Sequence, residues 1–411
     1  MVLDGLLEKE RWLEFYAHRE QQVSTNKAYL KGLSRFIESG ECLEYAQKLQ
    51  QGQGLSAPRK ILINKTGVGR KRIVYSFGRE ETYVLSMVAF LLKEYDKIFA
   101  PNLYSFRNFK TAKSAFQHLS LHPDLQEKYV YRSDISAYFN SVNVQKLLPK
   151  LEVVLAEDPE LYRFLRQLLE DDRIMFNGAL GREAKGIIPG APTSSFLANL
   201  YLSDLDYSFY DRGIYYIRYA DDILILADTE EELRAHIATV HETLASLDLG
   251  INPDKEHIYQ PGAKWEFLGF SYENGKIDIS EVSLKKIKDK LRRKTAGLKR
   301  WADRKDRPGE YAAKALVKRF NQRFYSNPVH NELTWARWYF PIINTTDSLE
   351  TIDHYEVDCI RYLVTGRRTK KRFDYTYEQI KSIGFRSLVN EYYKWKALDA
   401  EEKYKPSPGL P

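Results

Sequence analysis

The sequence predicts an α+β fold in which a sheet of short antiparallel strands packs on helices, and three observations carry that expectation. Strand-like and helix-like stretches interleave irregularly instead of in a regular βαβ order, which argues against a doubly wound sheet. Residues 214–226 form two apolar, β-branched runs interrupted by Ala220-Asp221-Asp222, the pattern of a hairpin. From Ser280 onward the pattern turns helical and basic. A length of 411 residues suits two or three lobes. The composition shifts divide them into an N-terminal helical extension (1–57), a mixed region (58–279) and a basic helical region (280–411).

Taken in order, residues 1–50 repeat apolar positions at helical spacing, as in Leu6-Leu7 and Trp12-Leu13-Glu14-Phe15, until Gln51-Gly52-Gln53-Gly54 breaks the pattern. Ile61-Leu62-Ile63 and Arg72-Ile73-Val74-Tyr75 read as two strands joined by the turn Lys65-Thr66-Gly67-Val68-Gly69. A helix is expected over 80–99. Tyr129-Val130-Tyr131 leads as a strand into Asp134. Helices are expected over 144–169, 194–210 and 230–247, and a strand over 265–272.

Charged residues make up 29% and apolar residues 43%, the balance of a globular chain. Two cysteines, Cys42 and Cys359, give neither a disulfide framework nor metal-type spacing, which fits a reducing cytoplasm. The charged N-terminus lacks a signal-peptide core, and no apolar run is long enough to span a bilayer. A cytoplasmic protein without a membrane partner is therefore expected. The 29 tyrosines and 20 phenylalanines can fill cores or stack on bases.

The carboxylates carry the chemistry. Asp221 and Asp222 interrupt an apolar stretch where unpaired buried charge is costly. At a hairpin tip they could share a divalent cation, which would relieve their mutual repulsion. An ordinary Asp-rich turn is the other reading of the same residues. Asp134 ends a second strand, where a turn or helix-cap role is the alternative. Three aspartates from two strand ends can clamp two Mg²⁺ ions, the arrangement that phosphoryl transfer onto a 3′-hydroxyl uses.

These residues resemble the prokaryotic reverse transcriptases over about 58–272. The segment beginning Asp134-Ile135-Ser136-Ala137-Tyr138-Phe139 resembles motif A of that family, and Gly186 through Asn199 resembles motif B. Tyr219-Ala220-Asp221-Asp222 resembles motif C, Leu249 through Lys255 motif D, and Glu266-Phe267-Leu268-Gly269-Phe270 the primer-grip motif E. The resemblance implies a right-hand polymerase with fingers, palm and an α-helical thumb. It would copy RNA into DNA from dNTPs with two Mg²⁺ ions, with Mn²⁺ as a substitute. Asp134, Asp221 and Asp222 would be the catalytic metal ligands, and the Ile135 carbonyl would assist. Lys65 and Arg72 would hold the triphosphate, and Phe139 would exclude a ribose 2′-hydroxyl. Gly190 and Ala191 would let backbone approach the nucleotide, and Lys255 would donate a proton to pyrophosphate.

The family usually places Gln where this chain has Pro189, which leaves template-independent or protein-primed DNA synthesis as an alternative. Ser114-Ala115-Phe116-Gln117-His118 and Val364-Thr365-Gly366 are similar to retron signatures, whereas the stretches around Trp335–Phe340 and Gly384–Tyr393 resemble the defence-associated "unknown group" reverse transcriptases of bacteria. The latter implies an anti-phage role with a dedicated noncoding RNA. A maturase-like RNA-binding protein is a further alternative. Residues 285–307 hold twelve Lys/Arg against three Asp. Lys286, Lys290, Arg293 and Lys294 there, with Arg367, Arg368, Lys371 and Arg372 farther on, are the expected nucleic-acid contacts.

Overall fold

A computed structural model describes residues 3–22, 25–64, 71–325 and 334–404, with side chains through residue 398. The α+β class is the one observed. Contacts divide the chain into two compact units. One holds the chain up to 118 together with 127–261, and the other holds 119–126 with everything from 262 onward. The N-terminal helices thus pack within the first unit, and the change of unit comes at 262, whereas the composition changes at 280.

In the first unit, three helices, Lys9–Gln21, Lys27–Glu38 and Glu41–Gln50, bury Trp12, Phe15, Leu33 and Phe36. Strands β1 (Arg59–Asn64) and β2 (Lys71–Ser76) pair antiparallel, as the alternation of Ile61-Leu62-Ile63 with Arg72-Ile73-Val74 suggests. Their sheet is extended by β4 (Arg173–Phe176) and β5 (Ala179–Arg182), in the order β2-β1-β4-β5. The second sheet places β3 (Tyr129–Asp134) between β7 (Asp222–Ala227) and β8 (His257–Tyr259). Strand β6 (Tyr216–Tyr219) lies outside β7, and all pairs are antiparallel. Ile223, Leu224 and Ile225 are fully buried, covered in part by Leu233, Val240 and Leu244 of the helix Glu230–Ser246.

Three expected helices are shorter or divided. The helix begun at Arg79 gives way after Leu91 to a 3₁₀ stretch, Leu92–Ile98. There Asp96 receives the Arg107 guanidinium and the Asn108 backbone N–H. The 144–169 stretch breaks before Asp158-Pro159, because Asp158 caps a new helix (Pro159–Glu170) through the Leu161 N–H and proline opens its first turn. The 194–210 stretch divides at Leu202 into Ser194–Tyr201 and Ser203–Tyr210.

In the second unit, β9 (Trp265–Phe267), β10 (Phe270–Glu273) and β11 (Lys276–Ile279) form a meander rather than one strand over 265–272. Gly269, at φ 93°, makes the reversal between the first two. Long helices Glu281–Arg304, Gly309–Tyr325 and Asp347–Thr365 follow and pack on one another. Gly366 ends the last of these in the left-handed conformation, so this part of the Val364-Thr365-Gly366 signature is also a helix stop. No helix among the described residues is long and apolar enough to cross a membrane.

Candidate active site

The β3–β7 register sets Asp134 directly opposite Asp222. The β6–β7 hairpin pairs Tyr219 with Asp222, so Ala220 and Asp221 form its tip, with Ala220 left-handed at φ 57°. The Ile135 N–H donates to the Asp221 carbonyl at 3.0 Å, and the Asn252 N–H donates to the Asp134 carbonyl at 2.8 Å. These bonds tie motif A to motifs C and D. Asp134 and the consecutive pair Asp221-Asp222, distant from it in sequence, thus stand on adjacent strand ends.

Their electrostatics show unrelieved repulsion. Burial, then the Asp134 charge, raises the Asp221 carboxyl above its usual range, and Lys255 and Arg72 pull it back in part. Asp222 is pushed up to about 6 by burial and by Asp221. Lys255 Nζ donates to Asp134 Oδ2 at 2.6 Å while remaining half-exposed. The cation at this site is therefore a lysine seated on one of the expected metal ligands. Among the described residues no group of three acidic, His or Cys side chains forms a ready-made metal cage. This donor set still fits Mg²⁺, which binds through one or two carboxylates and completes its shell with water and substrate phosphate. Two carboxyls held above their usual range are what a divalent cation would bring down.

The remaining expected residues fall as follows. Arg72 is exposed on β2, and its charge acts on Asp221. Lys65 and the Gly67-Val68-Gly69 turn lie outside the described residues. Ile135 is buried. Phe139 is half-buried and meets Tyr138 and Phe106 edge-on, with ring centroids 5.7 and 6.4 Å away. Gly190, at φ 105°, lies so close to β2 that a Cβ would stand 2.5 Å from the Tyr75 carbonyl. The Tyr75 N–H donates to the Pro189 carbonyl at 2.7 Å, so proline here serves as a backbone acceptor. Ala191 is buried.

Sequence reasoning missed the support beneath the hairpin. Arg218, fully buried, clasps Asp206 with Nε–Oδ1 at 2.7 Å and Nη2–Oδ2 at 2.5 Å. Its Nη1 donates to the Ala220 carbonyl at 3.2 Å, and its Nη2 also reaches the Asn199 carbonyl at 3.3 Å. Tyr216 OH adds a bond to Asp206 at 3.0 Å. This fork binds the motif C turn to the motif B helix. The available signal was an arginine inside an apolar strand, which demands a buried acid.

The basic residues of the second unit are mostly at its surface. Lys286, Lys290, Arg293 and Lys294 are exposed on one helix. Burial, then Arg323, Lys286 and Arg293, lowers the Lys290 ammonium, which marks a crowded positive stripe. Arg367, Arg368 and Lys371 are exposed, and Arg372 pairs with Asp358 at 3.1 Å.

A hairpin presenting two aspartates beside a third on the neighbouring strand is an arrangement that can share divalent cations. Residues 70–272 match the protein family described as "Reverse transcriptase (RNA-dependent DNA polymerase)". The chain is 32% identical over 112 residues to the Retron Ec86 reverse transcriptase of Escherichia coli, a stretch covering 26% of this chain and 35% of that protein. The chain thus spans about a third of that relative's length. Among solved structures it is similar to an apo telomerase from Candida tropicalis, truncated from its C-terminal domain. There the identity is 13% and the TM-score 0.42, with 59% of this chain and 60% of the other covered.

Proposed function

We propose that this protein is an RNA-directed DNA polymerase whose catalytic metal ligands are Asp134, Asp221 and Asp222. The observation that carries the reading is the strand register that sets Asp134 opposite Asp222 beside the hairpin tip, within the stretch that matches the reverse-transcriptase family. Two bound Mg²⁺ ions would activate the primer 3′-hydroxyl and offset the charge of the triphosphate and departing pyrophosphate. Lys255, whose ammonium holds Asp134, would be the proton donor to pyrophosphate. Arg72 draws the triphosphate toward Asp221. Phe139, backed by Tyr138 and Phe106, lies under the sugar and selects dNTPs.

Primer extension on an RNA template with Mg²⁺ tests this reading. The wild-type chain is expected to incorporate dNTPs, and the Asp221→Ala/Asp222→Ala chain to fold but incorporate none. Full incorporation by the double variant would remove the site assignment. Phe139→Ala is expected to admit ribonucleotides, and unchanged discrimination would remove Phe139 from the sugar pocket.

For the biological setting we propose reverse transcription of a dedicated noncoding RNA in bacterial anti-phage defence. The stretch matching a retron reverse transcriptase favours a retron-type variant of that role. Sequencing the RNA and DNA that co-purify with the protein distinguishes the readings. A retron-type enzyme yields one DNA complementary to one structured RNA. Product unrelated to any bound RNA would favour template-independent synthesis.

A further inference from the structure

The polymerase reading leaves unused a pocket in the second unit. It lies between the helices Glu281–Arg304 and Asp347–Thr365 and encloses about 570 Å³. Thr295 and Ala296 on one helix, with Cys359 on the other, supply small side chains, and small residues on facing helices leave unfilled space. Thr295 is 5% exposed, and its Oγ1 has no hydrogen-bond partner of ordinary geometry among the described residues. The thiol of Cys359 is the polar group beside it, and burial pushes that thiol up to about 11, so it is uncharged at neutral pH. The buried Thr295 hydroxyl, beside that thiol, borders the pocket.

The rim is cationic. Lys299 is matched by Asp303 at 2.5 Å and Arg372 by Asp358 at 3.1 Å, which uses both carboxylates of the lining. Arg300, Arg367 and Arg368 have no carboxylate partner among the described residues. Arg368 lies 4.9 Å over the Tyr362 ring, which, with Tyr355, gives the pocket an aromatic wall. Guanidinium groups bind phosphate oxygens in bidentate fashion, and bases stack on tyrosine and arginine faces. An internal phosphodiester carries a single charge. A terminal monoester carries nearly two and offers three free oxygens, so three uncommitted arginines suit the monoester better.

We propose that this pocket binds a nucleotide through its terminal phosphate monoester, supplied either by a free nucleotide or by the 5′-phosphorylated end of a nucleic acid. The proposal is independent of the carboxylate site. Binding is measured in EDTA and polymerisation separately by primer extension, so either can fail without the other.

The test uses the full chain and a short fluorescent RNA carrying either a 5′-phosphate or a 5′-hydroxyl, with AMP and ATP as competitors. The 5′-phosphorylated RNA is expected to bind at least about tenfold more tightly, as a charge-assisted arginine contact allows. Ala296→Leu, which adds volume to the pocket lining without changing charge, should abolish that preference and leave 5′-hydroxyl binding intact. The exposed variant Arg300→Gln, at a pocket arginine outside the expected general contacts, should do the same and carries the test should the leucine variant fail to fold. Competition by AMP with a potency matching the RNA identifies a free nucleotide as the source. Preference for the RNA end without such competition identifies the polynucleotide. Equal affinity for both ends with no nucleotide competition overturns the proposal, as does a preference that survives in the folded variants.

Discussion

At the scale of single residues, the site holds charge that nothing in the polypeptide fully offsets. Asp222 has a folded pKa of about 6 against an ordinary 3.8. As pH rises the unfolded chain ionises first, so stability is lost between about pH 4 and 6 and the penalty is complete above that. Asp222→Asn should therefore stabilise the metal-free protein at pH 7.5, by on the order of 2 kcal/mol, while abolishing nucleotide incorporation. Chemical denaturation in EDTA checks this, and a destabilised variant would mean that the repulsion is relieved elsewhere. The Arg218–Asp206 clasp behaves in the opposite way. Arg218→Ala strands a buried carboxylate and should cost about 3–5 kcal/mol. Replacing both partners, as Arg218→Met/Asp206→Leu, should recover most of that stability but not primer extension, because the Ala220 carbonyl would still lack its guanidinium donor. Recovery of both would reduce the clasp to packing.

At the scale of elements, what the sequence made legible follows from how locally each feature is encoded. Asp134 at a strand end and Asp221-Asp222 in a hairpin could be read directly, because alternation and β-branching are local signals. The pairing of Asp134 with Asp222 is a tertiary register, so only the resemblance joined them. The break at Asp158-Pro159 was visible as a cap signal inside a longer helical periodicity that overrode it. Strands β4, β5 and β8 have only three or four residues and escaped notice. Nor could the sequence show the docking of the motif B loop on β2, since Tyr75 and Pro189 are 114 positions apart. That docking makes a prediction. At Gly190 an alanine meets both a positive φ and the Tyr75 carbonyl, which is backbone and cannot swing aside. Gly190→Ala should lower incorporation at saturating dNTP by at least about tenfold with secondary structure retained. Wild-type activity in that variant would mean that the loop is free to leave β2.

At the scale of the whole molecule, a formal net charge of only +7 conceals how unevenly cations are placed. Lys286, Lys290 and Arg293 succeed one another at helical spacing on an exposed face, and Arg323 adds its field to theirs. Asp289, the one carboxylate among them, is taken by Arg292 at 3.0 Å, so holding these like charges together is unfavourable unless a polyanion visits, and each phosphate contact then releases counterions. Affinity for single-stranded RNA should therefore fall linearly with the logarithm of salt concentration, with about 0.7 of slope per phosphate engaged. Replacing Lys286, Lys290 and Arg293 by Gln should flatten that slope by about 2, as measured by anisotropy from low to moderate salt. Because these contacts read phosphate and not base, the loss should be the same for RNAs of unrelated sequence. A slope unchanged by the triple variant would transfer RNA binding to other basic residues, the cluster at Arg367, Arg368 and Lys371 first among them. Loss confined to one RNA sequence would instead make this helix a reader of structure.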